Sequence, residues 1–201
     1  MRTLYYLNMK MLNIVLFGAP GTGKGTQSEL IIEKYGLHHI STGDILRKEI
    51  ERKSPLGLQA EKHISAGQLV PDELIIDMLA EVLNKNTDTK GYIFDGFPRT
   101  IPQAKALDKL LGEREIAITA VLSLKVEEKA LIQRLLKRGQ ESGRADDKLE
   151  VIENRMKVYR EQTDPLRDFY KKSGKLVSIP GDGSVEEVFE EIVAEIDRLP
   201  F

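Results

Sequence analysis

Apolar residues follow two rhythms along this chain. Short, largely apolar runs occupy Leu12 to Phe17, Tyr92 to Phe94, Ile118 to Leu124 and Leu176 to Ile179, and they have the length and continuity of strands covered on both faces of a parallel sheet. Between them, longer amphipathic stretches predict helices over Lys24 to Lys34, Asp44 to Arg52, Asp72 to Asn84, Pro102 to Leu111, Glu127 to Arg138, Asp147 to Lys172 and Val185 to Arg198. Pro165 cannot continue the penultimate helix, so a kink or break is expected near Thr163. Strands alternating with helices imply an α/β fold, a parallel sheet with helices on both faces.

Two stretches interrupt that alternation. Ser41 to Val70 reads as helical with no intervening strand, and the polar run GQESGRADD spans 139 to 147; both are candidate insertions over the sheet. No internal repeat or low-complexity tract suggests a modular architecture.

Composition narrows the function classes. At 201 residues the chain suits one principal α/β domain with small inserted parts, and no apolar run approaches the roughly 20 residues that cross a bilayer. With a formal net charge of -2, attraction for phosphate must come from local cation clusters, which argues against a general nucleic-acid binder. The chain has no Cys, which removes thiolate catalysis and cysteine-ligated zinc. The opening MRTLYYLNMKML lacks the features of a secretory signal; Met1, Met9 and Met11 are alternative starts, and the first ten residues are expected to form a loosely ordered tail.

The chemistry begins at Gly18, where an apolar run meets Gly-x-x-x-x-Gly-Lys and then a helical pattern. Glycines at 18, 21, 23 and 25 let successive N–H groups curl inward, and the helix start adds its positive dipole end, so a polyphosphate is the natural ligand. Lys24 would set a point charge against the outer phosphates, with the Thr26 hydroxyl toward a magnesium ion. Gly25 stands where a Ser or Thr usually follows the lysine, displacing the hydroxyl to Thr26.

Cations follow in quantity. Arg134 and Arg138 lie four apart on a predicted helix, about 6 Å along its axis, and can address one anion together. The segment from Arg138 to Arg144 reaches at most about 20 Å, enough for a closing loop to bring Arg144 to the same anion, and Arg155 lies on the next helix. Gly139 and Gly143 are expected to ease that closure. Asp95 ends an apolar strand, where a carboxylate can hold magnesium through its waters. Asp146 and Asp147 suit either helix capping or nucleotide positioning. His38, His39 and His63 have no spacing for metal or nucleophilic chemistry and are read as structural or surface residues.

The runs GAPGTGKGTQ, STGDILR at 41 to 47, DGFPRTIPQ at 95 to 103, RLLKRG at 134 to 139 and GRADD at 143 to 147 resemble the adenylate kinase family, whose Gly-Lys-Gly-Thr form accounts for the displaced hydroxyl. The resemblance implies a core domain of 1–40, 71–136 and 148–201, a helical monophosphate-binding insertion at 41–70, and a short lid at 137–147 without zinc. It implies reversible phosphoryl transfer from MgATP to AMP. Carried over by motif, Arg47 and Arg99 grip the AMP phosphate. Gly21, Gly23, Gly25, Thr26, Arg134 and Arg144 serve ATP, and Lys24, Arg138 and Arg155 act on the phosphates between. Catalysis would rest on Lys24, Arg99, Arg138, Arg144 and Arg155. Asp95 and Thr26 would hold magnesium, and Thr42 and Gln103, with backbone near Val70 and Gly96, would contact adenine. A cytoplasmic monomer is the corresponding expectation, with no nucleic-acid or membrane partner. A pyrimidine or broad monophosphate kinase, or an ATP-binding switch protein, are the alternative readings.

Overall fold

The computed structural model describes residues 11–200; the tail expected at residues 1–10 lies outside them. Strands β1 (Ile14–Phe17), β2 (His38–Ser41), β3 (Tyr92–Asp95), β4 (Ala120–Lys125) and β5 (Leu176–Pro180) pair in the order β2-β3-β1-β4-β5, every pair parallel. β1 is central and buried throughout, which is why its sequence is an unbroken apolar run.

Alternate residues feed opposite faces. Val15, Phe94 and Val121 pack against α4 (Asp72–Lys85), α5 (Ile101–Gly112) and α8 (Leu166–Lys172) through Leu79, Leu107 and Leu166. Ile14, Ile93 and Leu122 pack against α1 (Lys24–Tyr35) and α9 (Val185–Ile196) through Ile31, Val188 and Ile192. Leu79 and Leu107 are fully buried, each contributing about 2–3 kcal/mol of hydrophobic transfer. A third cluster, Leu131, Leu135, Ile152 and Met156, joins α6 (Glu128–Ser142) to α7 (Leu149–Val158) beside Ala19.

Two features depart from the sequence expectation, β2 and the course of 139–147, while the helical reading of 41–70 holds. β2 is a strand that its sequence, HHIS, does not advertise: it sits at the sheet edge, its two histidines are half-buried, and only Ile40 joins the core as an apolar side chain. The segment 41–70 holds two packed helices, α2 (Thr42–Glu51), capped by the Ser41 hydroxyl, and α3 (Pro55–Ser65), capped by the Ser54 hydroxyl. The 139–147 run is not a polar loop. α6 continues to Ser142, Gly143 ends it in a left-handed conformation, and a short 3-10 turn covers Ala145–Asp147. The break near Thr163 is present: α7 gives way to a π-helical turn, Tyr159–Thr163, before Pro165 and α8. Among the described residues no helix is long and apolar enough to cross a membrane.

Candidate active site

The strand order reverses direction across β1, whose neighbours are β3 and β4, so a crevice opens beyond the carboxyl ends of the central strands. The glycine-rich loop fills its floor. Gly21 (φ 87°) and Gly23 (φ 88°) take left-handed conformations that most side chains resist, and Lys24 opens α1 immediately afterwards. The Lys24 ammonium folds back over the loop, donating to the carbonyls of Gly18 (2.8 Å) and Ala19 (2.9 Å). Burial pushes its pKa down to about 8; Asp95 opposes the shift, while the charges of Arg99, Arg155 and Arg138 add to it.

Register brings further groups to the rim. Asp95 lies beside Leu16 of β1 and Ser41 of β2, so the end of β3 presents its carboxylate next to the loop and the start of α2. All of the sequence-expected site residues, from Gly21 and Thr26 through Thr42, Arg47, Val70, Asp95, Gly96, Arg99 and Gln103 to Arg134, Arg138, Arg144 and Arg155, border one cleft of about 600 Å³.

On one side of this cleft the Gly96 carbonyl accepts two bonds, from Arg99 Nε (2.7 Å) and the Thr42 hydroxyl (2.9 Å). Arg99 is thereby held by its inner nitrogen, leaving its terminal nitrogens for an anion. Burial and then the Arg155 charge lower its pKa to about 10, with Asp95 acting in the opposite sense. Arg47 pairs with Asp44 one turn back on α2. The Thr42 hydroxyl has spent its proton on Gly96, so it can only accept from a ligand. Gln103 is also partly committed: its Oε1 accepts from the Arg99 N–H (2.7 Å) and its Nε2 donates to Asp72 (2.7 Å).

On the other side, two carboxylates organise two arginines. Asp147, its side chain fully buried, takes a two-point contact from Arg138 (2.7 and 2.8 Å) and a third bond from Arg155 (2.8 Å). Asp146 pairs with Arg155 at 2.9 Å. Burial raises the Asp147 pKa, but the Arg138 bond and charge, followed by Arg155, outweigh it and leave the carboxyl below its ordinary value. Neither acid caps α7, whose first turn has no side-chain cap; of the two roles expected for the pair, capping is excluded. Gly139 lies inside α6, where an added Cβ would stand 2.9 Å from both the Cβ and the carbonyl of Asp147. Its smallness admits the acid and does not mark a helix break. Arg134 and Arg144 have no carboxylate partner among the described residues. Burial, then the charges of Arg47 and Arg138, lower the Arg144 pKa, as expected for a cation set among cations.

A glycine-rich loop, a strand-end carboxylate and a ring of arginines on one crevice agree with a match between residues 16–175 and the family model described as adenylate kinase. The chain belongs to the adenylate kinase family. An adenylate kinase of Azobacteroides pseudotrichonymphae is 61% identical over 189 residues, covering 94% of this chain and 99% of the relative. One from Parabacteroides distasonis is 58% identical with 94% and 100% covered, and one from Porphyromonas gingivalis 48% identical with 94% and 97% covered. The adenylate kinase match spans the whole of the cleft, which runs from Leu16 to Thr163.

Sequence reasoning missed several residues of the site. Tyr159, on the π-helical turn, borders the cleft and packs its ring 6.0 Å from that of Phe17; only the nearness of Pro165 hinted at irregular backbone there. A second cavity of about 350 Å³ lies behind the loop, sharing Gly21, Gly23, Thr26 and Arg134 with the main cleft and closed by residues of 181–188. Gln27, buried on α1, donates to the Val185 carbonyl (2.9 Å) and ties the loop's helix to that wall. The carboxylates that pair with arginines, Asp44 and the 146–147 pair, and Asp72, which holds Gln103 and Thr100, were not legible as partners.

Proposed function

We infer that this chain catalyses reversible phosphoryl transfer from MgATP to AMP, giving two ADP. The observation that carries the reading is the convergence of Lys24, Arg47, Arg99, Arg138, Arg144 and Arg155 with Asp95 on a single cleft. A switch protein needs one nucleotide site; this cleft has cations on two opposed sides, one at the loop and α6, the other at α2 and the β3–α5 turn. The relatives' shared description, adenylate kinase, favours AMP over pyrimidine acceptors.

The ATP polyphosphate lies on the loop, with its base in the cavity behind it, where Gly21, Gly23 and Thr26 border both spaces. AMP sits opposite. Its phosphate meets the free ends of Arg99 and Arg47, the latter exchanging Asp44 for the anion, and its base lies among Thr42, Val70, Gly96 and Gln103. An AMP phosphate oxygen attacks the terminal phosphorus of ATP, and the bond from that phosphorus to the bridging oxygen of the leaving ADP breaks. The nucleophile is already anionic, so no general base is required. Charge spreads over the moving phosphoryl group, and Lys24, Arg99, Arg138, Arg144 and Arg155 stabilise it electrostatically. Asp146 and Asp147 fix Arg138 and Arg155 so that little reorganisation remains at the moment of transfer.

Magnesium suits the donors present. Asp95 and the Thr26 hydroxyl offer hard oxygen ligands on the cleft wall, and magnesium takes one or two carboxylates together with water and phosphate oxygens. When bound, the ion neutralises phosphate charge and orients the polyphosphate. The helical pair in 41–70 serves as the monophosphate-binding part and 137–147 as the short lid that excludes water. A cytoplasmic monomer is the proposed form of the enzyme.

A coupled assay with ATP, magnesium and AMP, UMP, CMP or GMP tests the reading. ADP formation should be fastest with AMP. Faster turnover of UMP would make the chain a pyrimidine monophosphate kinase, and tight ATP binding without AMP-dependent ADP formation would make it a switch.

A further inference from the structure

Gln103 is 2% exposed, borders the cleft and is framed by three hydrogen bonds, two from its side chain and one the cap of its own helix. Its Oε1 accepts from the Arg99 N–H at 2.7 Å, its Nε2 donates to Asp72 Oδ1 at 2.7 Å, and its own N–H donates to the Thr100 hydroxyl at 3.2 Å. That hydroxyl in turn donates to Asp72 Oδ2 at 2.8 Å. Asp72 stands in the first turn of α4, yet its carboxylate is spent across the interface on α5, and α4 has no side-chain cap.

We propose that Asp72 is a positioning residue that locks the Gln103 amide in one orientation and so sets the choice between 6-amino and 6-oxo purine acceptors. The inference rests on the reading that places the AMP base beside Gln103. A carboxylate only accepts and a backbone N–H only donates, so Asp72 and Arg99 together permit one rotamer of the amide. Turning it over would set Oε1 against a carboxylate oxygen and Nε2 against an N–H. In the permitted orientation Gln103 retains one N–H and one oxygen lone pair for the cleft. Adenine offers a matching acceptor and amino donor on either of its edges, N1 with N6 or N7 with N6. A 6-oxo purine places an oxygen where the amino group was, opposing the Gln103 lone pair. On the N1 edge, where the 6-oxo base carries N1–H, a freely turning amide would accommodate that oxygen; the locked one does not. Arg99 takes part only through its backbone N–H; its guanidinium is held separately, through Nε on the Gly96 carbonyl.

The test compares AMP with inosine monophosphate in the purified full chain, with MgATP as donor. Asp72→Ala should raise KM for AMP and lower the AMP-to-IMP ratio of kcat/KM by at least about tenfold, with KM for ATP and kcat at saturating AMP within about twofold of wild type. Asp72→Asn, nearly isosteric, can present either an acceptor or a donor to Gln103 and should lower the ratio by about threefold; it carries the test if the alanine variant does not fold. Gln103→Ala is the control and should collapse the ratio. An unchanged ratio in both Asp72 variants, with Gln103→Ala effective, overturns the positioning role and leaves the Gln103 reading standing. An unchanged ratio in Gln103→Ala overturns that reading and the proposal with it. Parallel loss of kcat and of ATP affinity in the Asp72 variants reduces Asp72 to a structural role.

Discussion

Lys24 is held by the main-chain carbonyls of Gly18 and Ala19, whereas Arg138 and Arg155 are held by the carboxylates of Asp146 and Asp147. Both groups border the same cleft, and both are cations placed for phosphate. The loop is self-contained: a few residues supply the turn, the carbonyls and the charge. The second arrangement draws one arginine from α6, another from α7 and two acids from the turn between them, and it exists only when those helices are packed. A local device ties function to its own residues and leaves the fold alone. A tertiary device ties function to stability.

Substitutions should expose that difference. The largest effect is expected at the local device, where Lys24→Ala should lower turnover by about a hundredfold or more, with the melting temperature nearly unchanged. Arg99→Ala, which also lacks a carboxylate partner, should behave alike; near-normal rates in either folded variant would remove that residue from the chemistry. Asp147→Ala should act on both properties, removing about 2–3 kcal/mol of stability in denaturant unfolding because two arginines lose a buried partner, and lowering turnover because both lose their placement. A fully stable Asp147→Ala variant would show that the pair is held by packing alone.

Gly139→Ala should cost about 1–2 kcal/mol, since the added methyl meets Asp147 at 2.9 Å, and the melting curve checks it. The smallest effect is a pH dependence. With the Lys24 pKa at about 8, kcat/KM for ATP should fall above that pH, about tenfold by one unit higher, while kcat under saturating MgATP should hold further because bound phosphates favour the ammonium. The stability contribution runs in the opposite sense. The unfolded lysine keeps its proton up to 10.5, so from about pH 8 to 10.5 the unfolded state binds more protons and folding gains. A rate profile flat to pH 10 would place the ammonium in a better hydrated setting.

The same contrast explains what the sequence made legible. The central strands, the loop and the break near Thr163 were readable because continuous apolar runs, glycine spacing and a proline act locally. β2 escaped because an edge strand with one apolar core residue carries almost no hydrophobic signal. The end of α6 escaped because Gly139 and the polar run QES read as a loop; only the packed Asp147 shows why a glycine belongs inside that helix. Arg138, Arg144 and Arg155 were nameable as candidates from their motifs, but which arginines are paired and which are free depends on contacts between elements. Gln103 was nameable as an adenine contact, but the bonds to Asp72 and Arg99 that orient its amide depend on contacts between elements.

The central claim is that one chain gathers its cations around two facing nucleotides. Calorimetric titration with an analogue joining two adenosines through a chain of five phosphates tests it most directly. One analogue should bind per chain, displace both ATP and AMP, and bind at least about a hundredfold more weakly to Arg99→Ala, as removal of a charge-paired anchor requires. Two analogues per chain, or AMP binding unaffected by a saturating analogue, would contradict a single shared cleft.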